Sequence, residues 1–245
     1  MSALYLDTLP RPALVVAVRD GVPTSEVEAA CAQGAALVEL RIDQFHDSRL
    51  PNVLAEVGRL AHLPLLATVR SQAEGGSWRG TDSDRLAVFR AVLPYVKAVD
   101  IELSSEGILE DLVAEARERM CLTIGSFHNF ESTPPDEHLR EVVSRGRACG
   151  VGHVKIAAHC TSERDLKRLA ALCIDAGEEK TGITIIGMGE HGCISRAFFP
   201  ALGSRLTYTF LGEPTAPGQL TFADMVKYLR TFYAGFHPRV EDGEN

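Results

Sequence analysis

A chain of 245 residues that is 45% hydrophobic and 24% charged can bury one sizeable core, and its composition excludes a fibrous, disordered or membrane-embedded protein. The net charge of −8 at pH 7 excludes a broad nucleic-acid or anionic-membrane surface, either of which needs a basic face. Six cysteines without a C-x-x-C pair read as reduced thiols, and MSALYLDTLPRP lacks a basic-then-apolar leader, so a cytoplasmic location is expected.

Apolar, β-branched runs of strand length recur along the chain. They lie at 13–18 (ALVVAV), 36–42 (ALVELRI), 65–70 (LLATVR), 98–103 (AVDIEL), 121–127 (CLTIGSF), 153–158 (HVKIAA), 183–188 (ITIIGM) and 205–210 (RLTYTF). Between them, sets such as Leu86, Phe89, Val92 and Leu93, or Leu166, Leu169, Ala170 and Cys173, give a helix one apolar stripe. Thr81 with Asp84 and Ser162 with Asp165 have the spacing of capping boxes. No linker divides the chain, so residues 1–240 read as a single domain and the acidic 241–245 (EDGEN) as a disordered tail.

Strict strand–helix alternation calls for a parallel sheet, and eight units in about 250 residues is the size of a (β/α)8 TIM barrel. An open doubly wound sheet competes. Side-chain parity favours the barrel. Glu39, Arg41 and Asp43 share one face of their strand, as do Thr68 with Arg70 and Asp100 with Glu102, each set toward the carboxyl end. An open sheet buries both faces under helices, whereas a barrel keeps its chemistry at that end.

Lys155 stands mid-strand between Val154 and Ile156. An ordinary lysine, with pKa about 10.4, is protonated and not nucleophilic. Burial, together with cations such as Arg41 and Arg70, would disfavour the charged form and make an amine able to form an imine with a carbonyl substrate. An ion pair with Glu39 or Glu102 is the competing reading. His128, in IGSFHNF, is the natural proton-transfer partner, with Glu74 placed to orient it. Arg41, Arg70 and Arg196 converge on the same mouth and suit a small polyhydroxylated acid. His153, His159, Cys160, His191 and Cys193 show no repeating metal-ligand spacing, and an imine already supplies an electron sink, so neither metal nor cofactor is expected. Trp78 and Arg79 read as part of a mobile loop over the mouth.

Taken in order, VELRIDQF, TVRSQAEGGSWRG, VDIEL, GSFHNFESTP, HVKIAA, GCISR and PTAPGQL resemble the type I 3-dehydroquinate dehydratases over nearly the whole chain. The resemblance implies a class I aldolase-like barrel that dehydrates 3-dehydroquinate to 3-dehydroshikimate, the third step of the shikimate pathway, by syn elimination without metal or cofactor. It also implies a cytoplasmic homodimer. Lys155 matches the imine-forming lysine, His128 the general acid/base and Glu74 its partner. Glu39 and Arg41 match an E-x-R pair of substrate contacts, Arg70 the arginine after the third strand, and Arg196 the arginine that holds a carboxylate. Met188, Thr215 and Gln219 match further residues around the substrate. Ala17, Thr215 and Ile186 depart from the usual pattern. An aldolase or transaldolase shares the barrel and the imine, and a silent relative that only binds the acid is the alternative outside enzymes.

Overall fold

The structure is a computed structural model that describes residues 8–177 and 181–236; the acidic tail lies outside the described residues. Eight parallel strands, β1 (Ala13–Val18), β2 (Ala35–Arg41), β3 (Leu65–Thr68), β4 (Ala98–Glu102), β5 (Leu122–Asn129), β6 (His153–His159), β7 (Gly182–Met188) and β8 (Leu206–Phe210), form one sheet. Their order is β7-β6-β5-β4-β3-β2-β1-β8. Each strand is Val-, Ile- or Leu-rich because both of its faces are covered.

The two end strands meet at a seam without a regular ladder. Arg205 N–H donates to the Ile183 carbonyl at 2.8 Å. Around that bond two hydroxyls replace missing ladder carbonyls: Thr184 Oγ1 accepts from Leu206 N–H at 3.0 Å, and Ser204 Oγ accepts from Ile185 N–H at 3.2 Å. The sheet thereby curls into the (β/α)8 barrel that parity indicated, not the open sheet.

Helices α1 (Thr24–Ala32), α2 (Leu50–Leu60), α3 (Asp82–Val92), α4 (Glu106–Glu118), α5 (Asp136–Ala148) and α6 (Glu163–Gly177) connect successive strands. Two short helices, α7 (Gly189–Gly192) and α8 (Ser195–Phe198), bridge β7 and β8, and α9 (Phe222–Phe232) follows β8. The outward residues of the strands, among them Val38, Val99, Ile101 and Ile156, pack on the helices as the main core. A separate inner core of Leu37, Leu66, Leu122, Ile124 and Leu206 fills the barrel axis. Among the described residues no helix is long and apolar enough to cross a membrane.

Two strand ends differ from the sequence pattern. β3 stops at Thr68 because the next carbonyls turn elsewhere: Val69 C=O accepts the Arg85 guanidinium at 3.1 Å and Arg70 C=O accepts Trp78 N–H at 3.3 Å. β5 continues through His128, paired with Ala157 of β6. The Thr81 capping box forms as expected, with Asp84 N–H on Thr81 Oγ1 and Thr81 N–H on the Asp84 carboxylate. At the second site Asp165 N–H donates to Ser162 Oγ at 3.4 Å, while the Asp165 carboxylate accepts the Thr161 N–H at 3.0 Å.

Candidate active site

The ten residues singled out from the sequence all line one cavity at the carboxyl end of the barrel. They come from six strands or the segments after them. Lys155, on β6, is only 5% exposed. Its Nζ lies 2.9 Å from Asp100 Oδ2 and 4.4 Å from the centre of the Tyr208 ring.

That pairing corrects the sequence expectation. Neither Glu39 nor Glu102 meets the lysine, and the nitrogen does not face cations alone; a carboxylate two strands away holds it. Along the ladder Lys155 pairs with Ser126 and Ser126 with Glu102, yet the lysine meets Asp100, two residues earlier on β4, because strands tilted in a closed barrel bring earlier residues of a neighbouring strand to the same height. Asp100 Oδ1 accepts from Ser126 Oγ and from Arg70, both at 2.6 Å. Burial would raise the Asp100 pKa, but Arg70, Lys155 and His128 outweigh it and hold the group below the usual carboxylate range. Arg70 continues the chain to Glu102 at 3.1 Å, and Glu102 in turn meets Arg85, whose side chain is 2% exposed. Five side chains, Lys155, Asp100, Arg70, Glu102 and Arg85, thus run in a line from the cavity to the start of α3.

His128 and Glu74 meet as expected, with Nδ1 at 3.0 Å from Oε2. The same oxygen accepts the His128 backbone N–H at 2.8 Å, and the other accepts from Ser104 Oγ at 2.6 Å. A carboxylate that only accepts fixes the ring proton on Nδ1, which leaves Nε2 with its lone pair. Burial, then the charges of Arg70 and Lys155, push the His128 pKa well below the ordinary histidine value. Burial raises that of Glu74. The imidazole is therefore neutral around pH 7.

The remaining residues sort by how they are held. Glu39 accepts from Thr68 Oγ1 at 2.8 Å. Arg41 forks onto Asp43 at 3.1 and 2.9 Å. Arg196 is 3% exposed, bonds only the carbonyls of Gly218 and Pro217, and among the described residues has no carboxylate partner. Burial pulls its pKa down to about 10. Gln219 lies on the cavity wall, but its amide oxygen accepts the N–H groups of Thr215 and Ala216, at 2.6 and 3.1 Å, and its amide nitrogen reaches Thr215 Oγ1. Met188 and Ile186 supply apolar wall.

The loop 71–80 is anchored at several backbone groups. Ser71 N–H donates to Glu102, Ser77 N–H to Asp43, and Ser71 bridges Trp78. Gly75 and Gly76 are required: Gly75 adopts φ 77° against the Phe130 ring, and a Cβ on Gly76 would sit 2.1 Å from the Arg70 carbonyl oxygen.

A model of the type I 3-dehydroquinase family matches residues 16–235. The chain belongs to that family. The 3-dehydroquinate dehydratase of Aquifex aeolicus is 38% identical over 213 residues, covering 86% of this chain and 94% of the relative. That of Thermodesulfovibrio yellowstonii is 34% identical over 230 residues, covering 93% and 97%. The Aquifex aeolicus crystal structure superposes with a TM-score of 0.80 at 36% identity, over 91% of this chain and 99% of that one.

In this type I 3-dehydroquinase barrel the residues whose partners sequence reasoning missed are Asp100, Glu102, Ser126, Arg85 and Tyr208. The first three sit in phase with their strand partners, a signal present in VDIEL and IGSF. Arg85 carries no such signal, since a helical arginine normally reads as solvated. Among the described residues no three His, Cys, Asp or Glu side chains gather as metal ligands.

Proposed function

We propose that this chain dehydrates 3-dehydroquinate to 3-dehydroshikimate through an imine on Lys155. The observation that carries the reading is the pairing, in one buried cavity, of a strand-borne lysine on Asp100 with a neutral imidazole held by Glu74. Attack on the ring ketone needs the lysine lone pair, so Nζ first gives a proton to Nε2 of His128; the amine adds to the ketone to form a carbinolamine, whose hydroxyl takes that proton back and leaves as water, yielding a cationic imine that stays beside the Asp100 carboxylate. The imine withdraws electrons from the adjacent carbon. Nε2 of His128 removes a proton there, and the enamine expels the β-hydroxyl, which takes the proton back from His128 as it leaves. Water hydrolyses the imine, releasing the enone and the free lysine, so the net change is loss of one water.

Arg196, without a carboxylate of its own, is the group we assign to the substrate carboxylate. Glu39, Arg41 and Arg70 face the ring hydroxyls, Met188 and Thr215 the rim, and Gln219 fastens the loop whose carbonyls hold Arg196. A cytoplasmic homodimer, as the sequence resemblance implies, accompanies this reading.

Purified protein mixed with 3-dehydroquinate should produce the ultraviolet absorbance of a conjugated enone, and Lys155→Ala should reduce that signal to background with the fold retained by circular dichroism. Tight binding without enone would instead establish a binding protein, and carbon–carbon cleavage products an aldolase.

A further inference from the structure

We infer that Tyr208 stabilises the cationic imine with the face of its ring, a role that rests on the proposed function. The ring lies 4.4 Å from Lys155 Nζ, inside the distance at which an aromatic face attracts a cation, and it lines the same cavity. Nζ therefore sits between two different supports, the Asp100 carboxylate at 2.9 Å and an electron-rich ring.

The two supports suit different states of the nitrogen. An ammonium group has three N–H donors and uses a carboxylate well. After condensation the nitrogen keeps one N–H, and its positive charge spreads onto the substrate carbon. One hydrogen bond to Asp100 then remains, and the directional support is weaker. A ring face needs no N–H, so its attraction survives the change and extends to a spread-out cation. The imine is the electron sink for proton removal, so the ring lowers the energy of the intermediate through which turnover passes, and with it the climb from the bound substrate.

The position of Tyr208 is fixed without help from its hydroxyl. The residue is 3% exposed and packs among the inner core residues. Its Oη has no hydrogen-bond partner among the described residues. A leucine would fill the same inner position without presenting a ring face, so an aromatic side chain, with its face 4.4 Å from Nζ, is what distinguishes this position.

The test separates ring electrons from shape. Tyr208→Phe keeps the face and should retain kcat within about threefold, because the unpartnered hydroxyl contributes nothing to the charge. Replacing that phenylalanine with mono-, di- and trifluorophenylalanine keeps the shape while draining the ring face, and kcat should fall stepwise with each fluorine, by roughly tenfold across the series, with KM nearly unchanged. A flat kcat across the fluorinated series overturns the inference. So does a Tyr208→Phe loss as large as that of the trifluoro variant, which would give the role to the hydroxyl. Borohydride trapping on the wild-type protein runs alongside: an adduct on Lys155 with a flat series refutes only the ring's role, whereas turnover without any adduct refutes the imine and the inference together.

Discussion

The two ends of the barrel interior are equally buried and chemically opposite. At the amino end Leu66, Leu122, Ile124 and Leu206 fill the axis as a dry apolar plug, with one neutral polar pair, His153 and Thr184, 2.8 Å apart. At the carboxyl end β4, β6 and the segment after β3 carry Asp100, Glu102, Lys155 and Arg70, each at most 5% exposed. Strand alternation lets one element do both, since residues two apart share the inner face. The lower layer stabilises by removing apolar area from water. The upper layer gains far less, because desolvating charges offsets most of their mutual attraction, and its retention points to chemistry rather than stability.

The sharpest way to break this comparison is to substitute one residue in each layer. His128→Ala should lower kcat by roughly 10²- to 10⁴-fold, the usual worth of a general acid/base, with little change in thermal stability. Leu122→Ala should do the reverse, costing about 2–5 kcal/mol of unfolding free energy while kcat, measured where the variant remains folded, stays near wild type. If both variants lose activity and stability together, the division of labour is wrong.

Titration sharpens the same contrast. Because burial, Arg70 and Lys155 hold the His128 pKa well below its usual value, the base stays neutral into mild acid. The acid limb of kcat/KM should therefore fall below pH ~6.5, the ordinary histidine value; a limb at or above it contradicts the geometry.

A smaller effect belongs to the lower layer. Burial, then the charges of Arg205 and Lys155, lower the His153 pKa to about 3. As pH drops below ~6.5 the unfolded chain takes up a proton that the folded one refuses, so stability falls until pH passes the folded value. The melting temperature should already decline between pH ~6.5 and ~5, where carboxylates in the unfolded chain are still mostly ionised. His153→Gln should flatten that decline. An equal slope in both proteins would show that His153 is not held neutral.

The strands, the barrel and the positions of Lys155 and His128 can be read from sequence because each breaks a local pattern: a charge inside an apolar run has to be explained. What escaped was partnership. Asp100 and Glu102 share a face in VDIEL, but which one meets Lys155 depends on the stagger of β4 against β6, a property of the closed sheet. Tyr208 looks like an ordinary strand aromatic until the barrel closes and places β6 and β8 around one axis. In EGGSWRG the close approach of Gly75 to Phe130 and of Gly76 to Arg70 leaves no local trace, and the loop's anchors, Asp43 and Glu102, are distant in sequence. Gln219 seemed free for a ligand because the turn it closes is not apparent from APGQ alone.

The central claim is that one amino group bonds covalently to the substrate ketone. Borohydride reduction during turnover, followed by digestion and mass spectrometry, tests it most directly. The account predicts an adduct carrying the dehydrated or intact substrate skeleton on the peptide containing Lys155 and nowhere else. An adduct on another lysine, or full turnover with none at all, would contradict it.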